Sequence, residues 1–166
     1  MTGYTGSHNP LLVNYFEFSL DRVPNLVYFC QTIKLPGIGF GSADQPTILG
    51  YPVKVPTGAF RFEELDLGYR VDENMFNWTE LYNWIKTSGN YIDDSNTLPY
   101  KSKTSGASLY ITNSAYKRKI EIRFKQVFPI YIGGIQFQVN TPTSIEALST
   151  VKFAHTGYEI TRLANP

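Results

Sequence analysis

Few side chains in this sequence could do covalent or acid–base chemistry. The 166 residues include two histidines, His8 and His155, and one cysteine, Cys30. His8 stands in a Gly-, Ser- and Thr-rich start, and His155 ends a β-patterned stretch; neither has an evident partner set for general-base work. Two distant histidines without a cysteine partner make a weak metal pattern. Cys30 lies inside the apolar run LVYFCQTI, where a free thiol reads as a small buried hydrophobe, and a lone cysteine forms no disulfide within the chain. Gly37, Gly39 and Gly41 in PGIGFGS lack the strand-to-helix setting and the following Lys-Ser/Thr of a phosphate loop. Glu63, Glu64 and Asp66 could imitate a carboxylate pair, but with no nucleophile or metal partner they read as a solvated, bulged strand face. The expectation is no catalytic residue, no cofactor, no metal and no small-molecule substrate.

The elements around these residues are β-like. Hydrophobic residues make up 42% of the chain and aromatics 15%, enough for one core and rich in the residues strands and interfaces favour. The formal net charge is +1, so nothing pulls the chain as a whole toward nucleic acid or membrane. No apolar run is long enough for a membrane helix, and MTGYTGSHNP has neither a basic start nor an apolar signal core. Residues 1–12 read as a loose arm and 13–160 as one domain. Residues 161–166 read as a frayed tail.

Within the domain, Phe16, Phe18 and Leu20 alternate with Tyr15, Glu17 and Ser19, and Leu26 to Ile33 reads as a second strand hairpinned to the first. Phe60 to Val71 alternates with a slip at Glu63-Glu64 that predicts a bulge. Residues 74–88 predict the one flanking helix, capped by Asn74 or Asp72, packed through Met75, Trp78, Tyr82 and Ile85, and stopped at Gly89. Residues 91–118 are polar and insertion-like, with a possible strand at Ser108–Thr112. Lys119 to Val139 reads as two strands hinged at Phe128-Pro129 and Gly133-Gly134, and Ser149 to Ile160 as the last. The fold expected is mainly β (α+β): an antiparallel sandwich or open barrel of about six strands with one helix against it.

Two features point outward. Lys34 to Ala59 carries five glycines, four prolines and only Lys34, Asp44 and Lys54 as charges. So long a stretch without a strong period predicts an extended hairpin arm for interaction. Charge is also segregated: eight acids between Arg61 and Asp94 face three bases, and seven bases between Lys101 and Lys125 face only Glu121. One acidic and one basic region suit head-to-tail self-association. A nucleic-acid patch over Lys117 to Lys125 with Tyr116 and Phe124 stays open beside it, as does a monomeric ligand-binding β domain.

An ordered set of stretches resembles the tail tube protein family of contractile-tailed bacteriophages. The stretches are YFEFSL, VYFCQTIKLPG, FRFEELDLGYRVDENMFNWTELYNWI, KIEIRFKQVFPIYIGGIQF and VKFAHTGYEI, spanning about residues 13–160. Residues 91–118 depart from the pattern, and Lys34–Ala59 matches in kind more than in letters. The resemblance implies a subunit of stacked hexameric rings whose sheets close into one larger barrel, a hollow tube passing double-stranded DNA. Sheath, baseplate and tail terminator proteins would be its partners. The product would be made in the host cytoplasm and placed in the virion. A baseplate or tube-initiator ring of the same family is the alternative. Under this reading Lys34, Pro36, Gly37, Phe40, Asp44, Tyr51 and Lys54 of the arm, with Lys117, Arg118 and Lys119, are the candidate contacts between subunits. Glu64, Asp66, Arg70, Gln136 and Gln138 are the candidate lumen- or sheath-facing groups.

Overall fold

The computed structural model describes residues 11–48, 50–89, 103–139 and 145–163. Residues 1–10 with His8, residue 49, residues 90–102 of the polar stretch, residues 140–144 and residues 164–166 lie outside them. The described residues form nine strands and two helices. In chain order they are β1 (Phe16–Leu20), α1 (Pro24–Phe29), β2 (Cys30–Lys34), β3 (Ile38–Gln45), β4 (Val53–Phe62), β5 (Leu65–Arg70), α2 (Phe76–Ser88), β6 (Ser105–Thr112), β7 (Arg118–Ile132), β8 (Leu148–Ala154) and β9 (Gly157–Arg162). All pairing is antiparallel. The main sheet runs β1-β6-β7-β8-β5-β2, with β9 also on β7, while β3 and β4 pair only with each other.

Strand β7 is the spine. Its first half pairs with β6 and β9, and its second half with β8. The turn between the halves is at Gln126, which takes a left-handed φ of 52°. There β7 advances three positions (Phe124 to Val127) against two on β6 (Ala107 to Ser105), a bulge that bends the strand. It also resets which side faces inward: Ile122 and Phe124 are buried before it, Val127 and Pro129 after it. The expected hinge at Phe128-Pro129 therefore lies just past the true bend. The strand ends at Ile132, and Ile135 to Val139 form no strand despite their alternation.

The two halves of the sheet enclose one core of Phe18, Leu20, Leu65, Leu67, Tyr69, Leu109, Phe124, Val127, Val151 and Phe153, with Leu81 and Trp84 from α2. Period-2 alternation drives this. Leu65, Leu67 and Tyr69 point inward from β5, and Asp66, Gly68 and Arg70 outward. Gly68 is needed where β5 passes between β2 and β8, since a Cβ there would meet Thr32 Oγ1 at 2.4 Å.

Several expectations change. Leu26 to Phe29, expected to open the second strand, are helix: α1 starts at Pro24, whose fixed φ fits the first turn and whose missing N–H costs nothing. The helix buries Val23 and Leu26 against β1, so two helices flank the sheet, and β1 and β2 are not a hairpin. Helix α2 begins at Phe76, and its buried face is Asn77, Leu81 and Trp84, with Tyr82 42% exposed. The buried Asn77 is satisfied on every side. Its backbone N–H donates to Asp72 Oδ1 (3.1 Å), its Oδ1 accepts from the Asp72 N–H (3.3 Å) and its Nδ2 donates to the Arg70 carbonyl (2.8 Å). The N-cap position itself is Met75, at a left-handed φ of 57° and without a side-chain cap, so neither Asn74 nor Asp72 occupies it; Asp72 answers the Asn77 N–H from further upstream. The expected bulge at Glu63-Glu64 is a full break between β4 and β5, and the expected last strand is two, split at His155-Thr156. Strand β6 occupies 105–112 between β1 and β7, with Ala107 and Leu109 in the core, so this part of the stretch read as an insertion belongs to the sheet.

Candidate functional site

The β3–β4 hairpin leaves the body as a separate ribbon. Its cross-strand partners Ile38↔Phe62 and Phe40↔Phe60 share one face, and the Phe40 and Phe60 rings lie 5.1 Å apart. That face is open: Ile38 is 55%, Phe40 53% and Phe60 68% exposed. Ile48, Tyr51 and Val53 stand exposed toward the tip. There the Gly50 N–H donates to the Thr47 carbonyl (3.0 Å) and the Thr47 hydroxyl to the Tyr51 carbonyl (2.6 Å). Gly50 holds φ at 79°, which glycine permits without strain. Asp44 and Lys54 face each other across the ribbon. Apolar side chains on a projecting ribbon without a core of its own mark a surface made to be covered.

The root of the ribbon is fixed by the β8–β9 turn. Tyr158 donates its hydroxyl to the Pro36 carbonyl (2.9 Å), and His155 Nε2 lies 3.0 Å from the Glu63 carbonyl. The Glu63 N–H donates to the Gly37 carbonyl (3.0 Å), and the Gly37 N–H to Glu63 Oε2 (3.3 Å). Phe62, Phe124, His155 and Tyr158 pack ring against ring at 5.4–5.9 Å. His155 is therefore a pin between the arm and the body. Partial burial in this cluster lowers its pKa below the usual 6.5, despite opposing hydrogen bonds to the Glu63 and Gly157 backbone. The folded state then prefers the neutral ring. This contribution is present above about pH 6.5 and is lost as pH falls through the lower folded-state pKa. Thermal melts at pH 7.5 and 5 are expected to show a stability loss in the wild type that His155→Gln reduces. Equal losses in both proteins count against this role.

The polar faces are matched in sign. On the β2-β5-β8 side, Lys152 reaches Glu64 (3.4 Å) and Asp66 (3.8 Å), Arg70 reaches Glu146 (2.9 Å) and Lys34 reaches Glu63 (3.5 Å). On the β1-β6-β7-β9 side, Arg118 grips both oxygens of Glu17 (2.7 and 2.9 Å) and lies 4.1 Å from the Tyr110 ring centre. Arg123 pairs with Glu121, and Lys125 with Glu159. The run read as a basic patch is thus largely answered by carboxylates of the same chain. Arg118→Ala is expected to cost less than about 1 kcal/mol, since the pair is half exposed, and the cost should shrink in high salt. Urea melts at two salt concentrations test this.

Among the sequence candidates, Phe40, Asp44, Tyr51 and Lys54 lie on the ribbon, while Lys34, Pro36 and Gly37 form its root, with Pro36 buried. Lys117, Arg118 and Lys119 sit at the far end of the molecule's spine, at the start of β7. Glu64, Asp66 and Arg70 belong to one outward face of β5 and its approach, and Gln136 and Gln138 are exposed on the segment after β7. The root residues His155 and Tyr158 were invisible as a pair with Pro36 and Glu63, because they meet only through pairing of distant strands. Among the described residues no cluster of His, Cys, Asp and Glu could hold a metal ion, and no helix is long and apolar enough to cross a membrane. Burial raises the Cys30 thiol pKa to about 11, away from reactivity.

The fold is an antiparallel β domain that carries an exposed apolar ribbon. The chain belongs to the phage tail tube protein family, whose match covers residues 10–161. It is therefore a structural component of the phage tail and the virion, not an enzyme. A curated relative, the tail tube terminator protein of Enterobacteria phage T4, is 24% identical over 134 residues, 78% of this chain and 75% of the relative. The fold matches a chain of the sheath–tube complex of an extracellular contractile injection system (PVC) in its extended state, with a TM-score of 0.67, 18% identity and 94% of each chain covered. It also matches a chain of the tube-terminating cap of the anti-feeding prophage (AFP), with a TM-score of 0.69, 17% identity and 95% of each chain covered.

Proposed function

We propose that this chain is a ring-forming subunit of the tail tube. Six copies close a ring and rings stack into a hollow tube that conducts double-stranded DNA, with the sheath outside and baseplate and terminator proteins at its ends. The observation that carries this reading is the rooted, apolar β3–β4 ribbon, which has a use only when another subunit covers it. The paired charges on both sheet faces support it further. A wall facing DNA must not hold phosphates, and cations already answered by carboxylates release few counterions to DNA. A monomeric ligand-binding role gains nothing from aromatics strung along a ribbon instead of lining a concavity.

The second reading, a ring at an end of the tube, is favoured by the terminator relative. Gold-labelled antibody on sheath-stripped tails separates the two. Label along the whole tube is the expected result, label at one end moves the chain to the end ring, and label absent from tails contradicts both.

A further inference from the structure

Two features are each incomplete in one copy and complementary in two. The first is the segment Gly134–Val139. Its exit is fixed at Gly133, whose N–H donates to the Thr150 carbonyl (2.7 Å) and whose carbonyl accepts from Trp78 Nε1 (3.1 Å) and Ser149 Oγ (2.9 Å). A Cβ on Gly133 would lie 2.8 Å from Thr150 Oγ1 and 3.2 Å from the Thr150 backbone, so glycine lets the strands close here. Beyond the clamp, Ile135, Phe137 and Val139 alternate with Gln136 and Gln138 as in a strand with one dry face, yet the segment joins no sheet. Phe137 is 78% and Val139 97% exposed.

The second feature is the outer edge of β9. No described strand pairs with it. Register places Ile160 opposite Ile122 and Tyr158 opposite Phe124, so both belong to the core side of the sheet. Ile122 is 2% exposed, but Ile160 is 60% exposed. The sandwich is thus left open along this edge. The edge at β1 differs: Phe18 and Leu20 on its core side are buried, with α1 packed against the strand.

We propose that Ile135–Val139 of one copy adds as a strand to the β9 edge of a second copy. Ile135, Phe137 and Val139 would cover Ile160, and Gln136 and Gln138 would lie beside Glu159 and Thr161. This inference rests on the ring reading above and names one of the contacts that close the ring. The segment's own β9 is not its target. Gly133 lies 11 residues beyond Ile122, the position opposite Ile160, which is roughly 35 Å of strand contour. The five-residue segment spans only about 17 Å and departs from the opposite end of β7. Donor and acceptor thus belong to opposite halves of β7 and are different surfaces, so the contact is head-to-tail, the kind that generates a ring when the rotation closes. Unpaired main-chain groups on both sides supply the hydrogen bonds, and alternate side chains set the register.

Disulfide trapping tests this in the full chain with Cys30→Ser. One preparation carries Ile160→Cys and the other carries Ile135→Cys, Phe137→Cys or Val139→Cys in turn. After co-assembly and oxidation, a cross-linked dimer from at least one mixture, and none from either preparation alone, is expected. Rings visible by electron microscopy with no cross-link in any mixture overturn the inference while leaving the ring reading intact. A cross-link to Glu17→Cys on β1 in place of Ile160→Cys also overturns it, by assigning the strand to the other edge. Absence of rings from the Cys30→Ser parent as well as the wild type overturns both readings. As a second measurement, Ile160→Asp is expected to leave the circular dichroism spectrum unchanged and to lower ring yield at least tenfold; full ring yield contradicts the assignment.

Discussion

Excising residues 39–61 and joining Ile38 to Phe62 through Asn-Gly is expected to leave a folded monomer that no longer assembles. Ile38 and Phe62 are cross-strand partners, so a two-residue turn closes the gap at the register already present. The removed ribbon pairs only with itself and gives no side chain to the core, which draws on β1, β5 to β8 and both helices. The root contacts Tyr158 to Pro36 and His155 to Glu63 lie outside the excised residues and remain available. The melting temperature should therefore stay within a few degrees of wild type, because burial inside the body is unchanged, while rings and tubes disappear. Loss of the β signal in circular dichroism would show that the arm is part of the fold. Unchanged assembly would show that its apolar face needs no neighbour.

Phe153→Ala produces the opposite pattern. Phe153 is fully buried, pairs with Leu65 and Pro129 across both neighbouring strands, and meets the Trp84 ring at 6.1 Å. It joins the two halves of the sheet to α2, so its loss leaves a cavity that strands on both sides hold open. Truncations of this type cost about 3–5 kcal/mol. That is a large share of the 5–15 kcal/mol typical of a domain and lowers the melting temperature on the order of 10 °C. Assembly should fail because the body fails. Calorimetry of the two variants side by side separates a defect of fold from a defect of contact, and a small shift for Phe153→Ala means that the site collapses or that the core is centred elsewhere.

The two patterns reflect how differently fold and site are written in the chain. The inward sets of β1, β5 and β8 were readable because each strand has one dry face: Leu65, Leu67 and Tyr69 alternate with Asp66, Gly68 and Arg70, and Val151 and Phe153 with Thr150 and Lys152; that of β6 was not, since the polar residues around it masked Ala107 and Leu109. Residues 26–29 were misread because Val27, Tyr28 and Phe29 favour strands by type; Pro24 and the core contacts of Val23 and Leu26 decided for helix. The continuous course of β7 was hidden because Pro129 suggests a break, whereas the bend is a left-handed Gln126 that no residue type announces. The arm stood out by its length and few charges. Its root did not, since Pro36, Glu63, His155 and Tyr158 meet only after β8 and β9 have lined up on β7. The charge segregation was real in sequence, but among the described residues part of the basic region is answered within the chain, with Arg118 on Glu17 and Lys125 on Glu159. The alternation at Ile135–Val139 was also legible. What it lacked was a partner, and the uncovered Ile160 at the β9 edge supplies the complementary surface.

We propose assembly of this chain, through its ribbon and open edges, into the rings of a tail tube. Electron microscopy of the purified full chain, across low and high salt, tests it most directly. Six-membered rings or stacked tubes are expected. A population that stays monomeric at every salt concentration, while folded by circular dichroism, contradicts it.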